Sequence, residues 1–354
     1  MIDFFVHSVT APDEGDLHDL SSLDWRKWLG DRLVAMDRHG IERSGVCVMD
    51  TAILERRGDL DELRRATDSG RFFFTLMPDF RNTSPEATVA AMVDGGFRGI
   101  TFHSYLQEIG EKEFCRVAEW SAAAAEAGLL PGFCTAYGSK RIYDYYSLPL
   151  VAEVARRIAD PVVLYHAGGA KVLEAMLLCE MWPNLHLETS FSLSYWAGSS
   201  VEADLAFAIR KIGAERVLFG SDAPFVPVDK ALADHEAFFE KFEFSSAQRD
   251  AVMGGTAAAL FAIEYSHTGM SVDDDYEDGE HLEYRRGLPG DEYLALLDAG
   301  EDVTEGDVLV SAGNGALAAA AGDGTEDASV VAEAIESVDN AAGADPVRVE
   351  IQVV

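Results

Sequence analysis

The sequence predicts an α/β chain, a (β/α)8 barrel followed by a small acidic β-rich domain. Three observations predict it. In residues 1–265, short β-rich runs alternate with amphipathic helical runs, eight strands in all. The charge then changes: residues 270–354 hold 22 acids and 3 bases, residues 1–269 hold 40 acids and 25 bases. The same late segment places glycines between short strand-like runs, from Gly287 to Gly343.

The candidate strands of the barrel are 2–6, 45–49, 72–77, 98–102, 130–135, 161–165, 184–189 and 216–220. Helical patterns at 111–127, 149–159 and 201–213 lie between strands, and those at 229–241 and 246–263 follow the last one. A doubly wound open sheet is the runner-up, weakened because no GxGxxG follows the first strand. The acidic run Asp273, Asp274, Asp275, Glu277, Asp278 marks a linker, so the domains are expected at 1–265 and 276–354, joined by 266–275. In the second domain, Asp307–Val310, Val330–Ile335 and Val347–Val353 read as strands of a small barrel or sandwich. Ala316–Ala321 reads as either a helical turn or a packed strand.

Composition narrows the function classes. The chain has 354 residues, a net charge of −34, and 21 Arg against 7 Lys. Such an acid-rich, Lys-poor chain with an ordinary apolar content suits concentrated salt, which screens self-repulsion. A halophile's protein is expected. Binding to bare nucleic acid or insertion into a membrane is not. No basic leader precedes the first strand, which points to synthesis in the cytoplasm. Cys47, Cys115, Cys134 and Cys179 form no CxxC and sit in apolar contexts, so reduced thiols are expected.

Chemistry in such a barrel gathers where strands end. His7, His103, His166 and Asp222 all fall there. Imidazoles with a carboxylate suit Zn, Mn or Fe and can activate water. His7, His103 and Asp222 are the candidate ligands, and His166 and Asp222 the candidate general bases. Lys140 and Arg141, after the fifth strand, are candidates to hold a substrate carboxylate or phosphate. His18, His39, His186, His235, His267 and His281 read as surface or structural.

Ile2–His7, Gly99–His103, Tyr165–Gly169 and Leu218–Phe225, with the closing run Val252–Phe261, resemble the amidohydrolase superfamily, in its amidohydrolase 2 or decarboxylase-like branch. The resemblance implies a divalent metal held by a His-x-His pair, a strand-five His and a strand-eight Asp, with a strand-six His in proton transfer. His7, Asp222 and His166 match three of these positions. Phe5 and Thr135 stand where two ligands are expected, so the metal site reads as eroded.

The runs Glu305–Val310, Val331–Asn340 and Pro346–Ile351 are similar to capsid decoration modules of haloarchaeal tailed viruses. That resemblance implies a virion surface protein. It would display the barrel outward, as a turret or surface protrusion, through residues 276–354, which would bind capsid shell proteins or further copies of the chain; a small molecule or glycan would occupy the barrel mouth. The alternative is a cytoplasmic, metal-dependent hydrolase or decarboxylase of a halophilic cell, acting on a small carboxylated, lactone or sugar-like substrate.

Overall fold

A computed structural model describes residues 1–8, 23–135 and 140–261 and, within 262–354, the backbone of seven strands. The proposed linker 266–275 and His18, His267 and His281 lie outside the described residues. The chain divides into two compact units, Met1–Gly269 and Met270–Val354.

The first unit contains eight parallel strands in sequential order: β1 Ile2–His7, β2 Arg43–Val48, β3 Phe72–Leu76, β4 Gly99–His103, β5 Leu130–Cys134, β6 Val162–Tyr165, β7 Leu185–Glu188 and β8 Val217–Leu218. Beyond Leu218 the chain runs on beside β1. Phe4 N–H donates to Phe219 O (2.9 Å), Asp222 N–H to Phe5 O (3.0 Å) and His7 N–H to Ala223 O (2.9 Å). These bonds bring the last strand to the first, the arrangement of a (β/α)8 barrel. Apart from Arg43 at the start of β2, the strands are buried throughout, which is why they read as apolar runs rather than alternating ones.

The principal helices are α1 Trp25–Arg38, α2 Arg57–Asp68, α3 Pro85–Asp94, α4 Phe114–Glu126, α5 Ser147–Ala155, α6 Val172–Met181, α7 Ser192–Tyr195, α8 Ser200–Ile212, α9 Val228–Lys241, α10 Ser246–Asp250 and α11 Thr256–Phe261. Local chemistry sets several starts. Asp24 accepts from Lys27 N–H ahead of α1, and Ser84 accepts from Ala87 N–H ahead of α3, where Pro85 takes the first turn. Ser245 and Gln248 form a capping box at α10. The expected single helix over 246–263 is instead α10 and α11 joined by a π turn at Ala251–Gly255.

Two apolar layers result. The larger lies between strands and helices and includes Val46, Phe74, Ile100, Leu164 and Leu187. The smaller fills the barrel, with Phe4, Phe5, Cys47, Phe73 and Tyr165, and takes in Ala257, Ala258 and Phe261 of α11. The Phe261 ring packs on Phe73 (4.7 Å between centroids) and Phe4 (5.7 Å), so α11 plugs the N-terminal end of the barrel. Gly132 leaves room for Tyr165: a Cβ there would meet that ring at 2.4 Å.

His186 and His235 are buried and hydrogen-bonded, and His39 caps α1, as structural residues do. Cys47, Cys134 and Cys179 are buried free thiols, but Cys115 is exposed on α4, contrary to its expected apolar setting. Val117, Ala118 and Trp120 take the buried face of α4, while Cys115 shares the outer face with Arg116.

In the second unit the strands are β9 Glu292–Leu297, β10 Asp302–Val303, β11 Val308–Ser311, β12 Leu317–Ala319, β13 Ala332–Ala334, β14 Val338–Asp339 and β15 Val347–Gln352. Five of them close in the order β11-β12-β9-β15-β13, and β10 pairs with β14. The run Ala316–Ala321 thus contributes a strand, not a helical turn.

Candidate active site

His7 ends β1 and Asp222 follows β8, and the hydrogen bonds that close the barrel set them side by side. His7 Nε2 lies 3.1 Å from Asp222 Oδ1, and both side chains are buried. Yet His7 Nδ1 has no hydrogen-bond partner among the described residues, and Asp222 Oδ1 has none besides the His7 ring. Buried polar atoms rarely stay unsatisfied without a functional reason. Around the pair is an aromatic wall. Phe225 and Phe5 meet the His7 ring edge-on at 5.0 and 4.9 Å, and Phe5 stacks on Tyr165 at 4.0 Å.

His166 follows β6 and meets Phe5 edge-on at 5.4 Å. Its Nδ1 lies 3.1 Å from Ser190 O and 3.0 Å from Ser190 Oγ. Burial holds its imidazolium below the ordinary histidine range, so the ring is neutral at pH 7. Glu188, at the end of β7, is fully buried. Its carboxylate accepts from Ser190 N–H (2.7 Å), Ser190 Oγ–H (2.7 Å) and His166 N–H (3.2 Å). Burial outweighs these bonds and pushes its acid up to about 8.

The backbone here is strained. His166, Ala167, Phe191 and Asp222 all hold positive φ, between 49° and 66°. Non-glycine residues enter this region at a cost of roughly 1–3 kcal/mol each, and such strain concentrates at functional sites. Ser192 Oγ donates to His166 O (2.6 Å), and Ser221 is fastened to Asp3, so surrounding bonds enforce both turns.

Other expected residues do not join this cluster. His103 is buried at the end of β4, edge-on to Tyr105 at 4.2 Å, with its N–H donated to Gln107. Lys140 and Arg141 are exposed, and Arg141 pairs with Glu108 at 2.9 Å. Gly138 and Ser139 lie outside the described residues.

The donor set does not fit the metal that the resemblance implies. Phe5 offers no lone pair. Thr135 Oγ1 is engaged, donating to Tyr165 O (2.5 Å) and accepting from Gly168 N–H (2.7 Å). Among the described residues, no three His, Cys, Asp or Glu side chains converge as a metal-holding group, so His7, His103 and Asp222 do not form one. Catalytic zinc sites ordinarily keep three protein ligands.

Glu188 and Ser190 were legible only as a polar Glu-Thr-Ser ending of the seventh strand. Their side chains prove central to how His166 is held.

A family model described as Amidohydrolase matches residues 29–263. The chain belongs to the amidohydrolase family. Solved structures agree in fold. An uncharacterised TIM-barrel protein from Bordetella bronchiseptica shares 18% identity with a TM-score of 0.56, covering 74% of this chain and 98% of that one. A candidate 2-pyrone-4,6-dicarboxylic acid hydrolase from Pseudomonas putida shares 20% identity with a TM-score of 0.53, covering 75% and 98%. The 5-carboxyvanillate decarboxylase of Sphingomonas paucimobilis shares 17% identity with a TM-score of 0.51, covering 74% and 99%. No curated protein matches this chain. No described helix of this amidohydrolase-family chain is long and apolar enough to cross a membrane.

Proposed function

We propose that the barrel is an enzyme, a hydrolase or decarboxylase acting on a small carboxylated ring or lactone. The observation that carries this reading is the buried His7–Asp222 pair, in which, among the described residues, His7 Nδ1 lacks a partner and Asp222 Oδ1 meets only the His7 ring. A bound substrate or water would satisfy them. His166 lies across Phe5 with its Nδ1 engaged by Ser190, which leaves Nε2 to exchange a proton with substrate. Because the donor set does not fit a resident metal, proton transfer is assigned to these side chains acting on the substrate directly. The substrate class follows the named chemistry of two fold neighbours, a pyrone dicarboxylate and a carboxyvanillate. Lys140 and Arg141 would meet a substrate carboxylate at the β5 rim, with Arg141 exchanging its partner Glu108.

The family match ends at residue 263, before the segment for which capsid attachment is expected. The virion role, with capsid shell proteins as partners, therefore rests on the sequence pattern of residues 276–354 alone. The enzymatic reading has the family behind it and takes precedence.

The test is turnover of pyrone carboxylates, hydroxybenzoates and sugar lactones by the full chain. Ring opening would be followed by absorbance and CO2 release by a coupled assay. Turnover that falls at least about 100-fold in both Asp222→Asn and His166→Gln is the expected result. No turnover across the panel, or equal rates in the variants, would sink the reading.

A further inference from the structure

Glu188 is a buried acid with no assigned task. It lies between three strand ends, and its place is built: a Cβ on Gly220 would come within 2.2 Å of Glu188 Oε1. Glycine there keeps the space open for the carboxylate. The link to His166 is short and continuous. Glu188 Oε2 lies 2.7 Å from Ser190 Oγ, which lies 3.0 Å from His166 Nδ1. All three side chains are buried.

Hydrogen-bond accounting allows this chain two states. With Glu188 ionised, the Ser190 hydroxyl donates to it. His166 Nδ1 then carries a proton toward Ser190 O and Oγ, and Nε2 is a free base. With Glu188 protonated, its hydroxyl has one acceptor, Ser190 Oγ, because its other contacts are N–H donors. Ser190 then donates to His166 Nδ1, and the ring proton sits on Nε2.

We propose, resting on the reading of His166 as the base, that Glu188 acts through Ser190 to select the tautomer of His166. A proton taken at Nε2 releases the Nδ1 proton to Ser190 Oγ, and the serine proton passes to Glu188 Oε2. One proton enters, one arrives on the carboxylate, and serine keeps one. The imidazole never has to persist as a cation, the form that its burial penalises. Glu188 is in this sense a positioning residue.

The ionisable groups facing the relay are Tyr165 on β6, Asp222 after β8, and His7 on β1. Behind β7, His235 of α9 bonds to Thr189. None of these bridges Glu188 to His166.

The test is 15N imidazole NMR of the full chain between about pH 6 and 9.5, with His166 assigned by its loss in His166→Gln. In the wild type, the protonated nitrogen should change from Nε2 to Nδ1 as pH rises through about 8. In Glu188→Gln and in Ser190→Ala the tautomer should no longer follow pH. A wild-type tautomer constant over the range overturns the proposal, as does a switch that survives in either variant. The readout does not depend on turnover: a chain that switches but converts no substrate would sink the enzymatic reading and leave the relay standing.

Discussion

Removing the charge of Asp3 should cost the barrel several kcal/mol. Asp3 is fully buried on β1. Its carboxylate accepts from Arg32 Nη2, from Ser221 N–H (2.7 Å) and from Ser221 Oγ–H (2.7 Å). Arg32 is buried as well and, among the described residues, bonds beyond Asp3 only to Ser44 Oγ. In Asp3→Asn the shape is kept and Ser221 N–H still finds an oxygen, but the guanidinium loses its counter-charge. Breaking a buried pair from one side costs about 3–5 kcal/mol, a large part of the 5–15 kcal/mol typical of a whole domain. Urea unfolding followed by tryptophan fluorescence would show a midpoint lower by roughly 1–2 M. Asp3→Asn with Arg32→Met removes both charges and should recover most of the loss, because buried pairs and apolar replacements are often near parity. The reasoning is refuted by a single variant within about 1 kcal/mol of wild type, or by a double variant no more stable than the single.

Gly132→Ala would press a methyl into the Tyr165 ring at 2.4 Å; a loss of about 1–3 kcal/mol in urea unfolding is expected. His235 is buried between Thr189 and Ala231 O, and burial lowers its pKa to about 4. Its neutral form is therefore favoured by folding. Stability from this group is full above about pH 6.5 and falls by roughly 3 kcal/mol toward pH 4. Calorimetry across that range should show a shallower decline in His235→Leu. Dialysis against a chelator should leave both the melting temperature and any carboxylate turnover unchanged, because Phe5 and Thr135 supply no ligands. A drop on chelation, reversed by Zn, Mn or Fe, would show that ligands come from elsewhere.

The barrel strands were legible because parallel strands covered on both faces carry unbroken apolar runs. Phe72–Leu76 and Val162–Tyr165 could be placed within a residue or two for that reason. The polar residues ending such runs, His7, His166 and Asp222, were legible by contrast with what precedes them. Which of them meet was not. His103 ends its strand just as His7 does, yet only His7 is brought to Asp222, by backbone bonds from Asp222 N–H to Phe5 O and from His7 N–H to Ala223 O. Glu188 was legible as the polar end of its strand but not as an enclosed acid, because a fully buried glutamate is rare and its place on a strand gave no hint of its surroundings. The π turn before α11 was invisible in a run whose helical period does not break. In the second unit, Glu292–Leu297 escaped notice as a strand: its apolar residues do not alternate, which leaves helix and strand undecided.

The seam between the first strand and the segment after the last has a consequence for synthesis. Strands β2 to β7 have both of their sheet neighbours next to them in sequence. On its outer edge, β1 has nothing to pair with until residues 219–223 emerge. For most of translation it is an open, apolar edge, the kind of surface that recruits other chains. A circular permutant that begins just before β5 and joins residue 261 to residue 1 through a flexible linker would form this seam early and leave a different edge waiting. Comparing soluble yields of the two connectivities would show whether the waiting edge of β1 limits how much of the chain reaches the folded state.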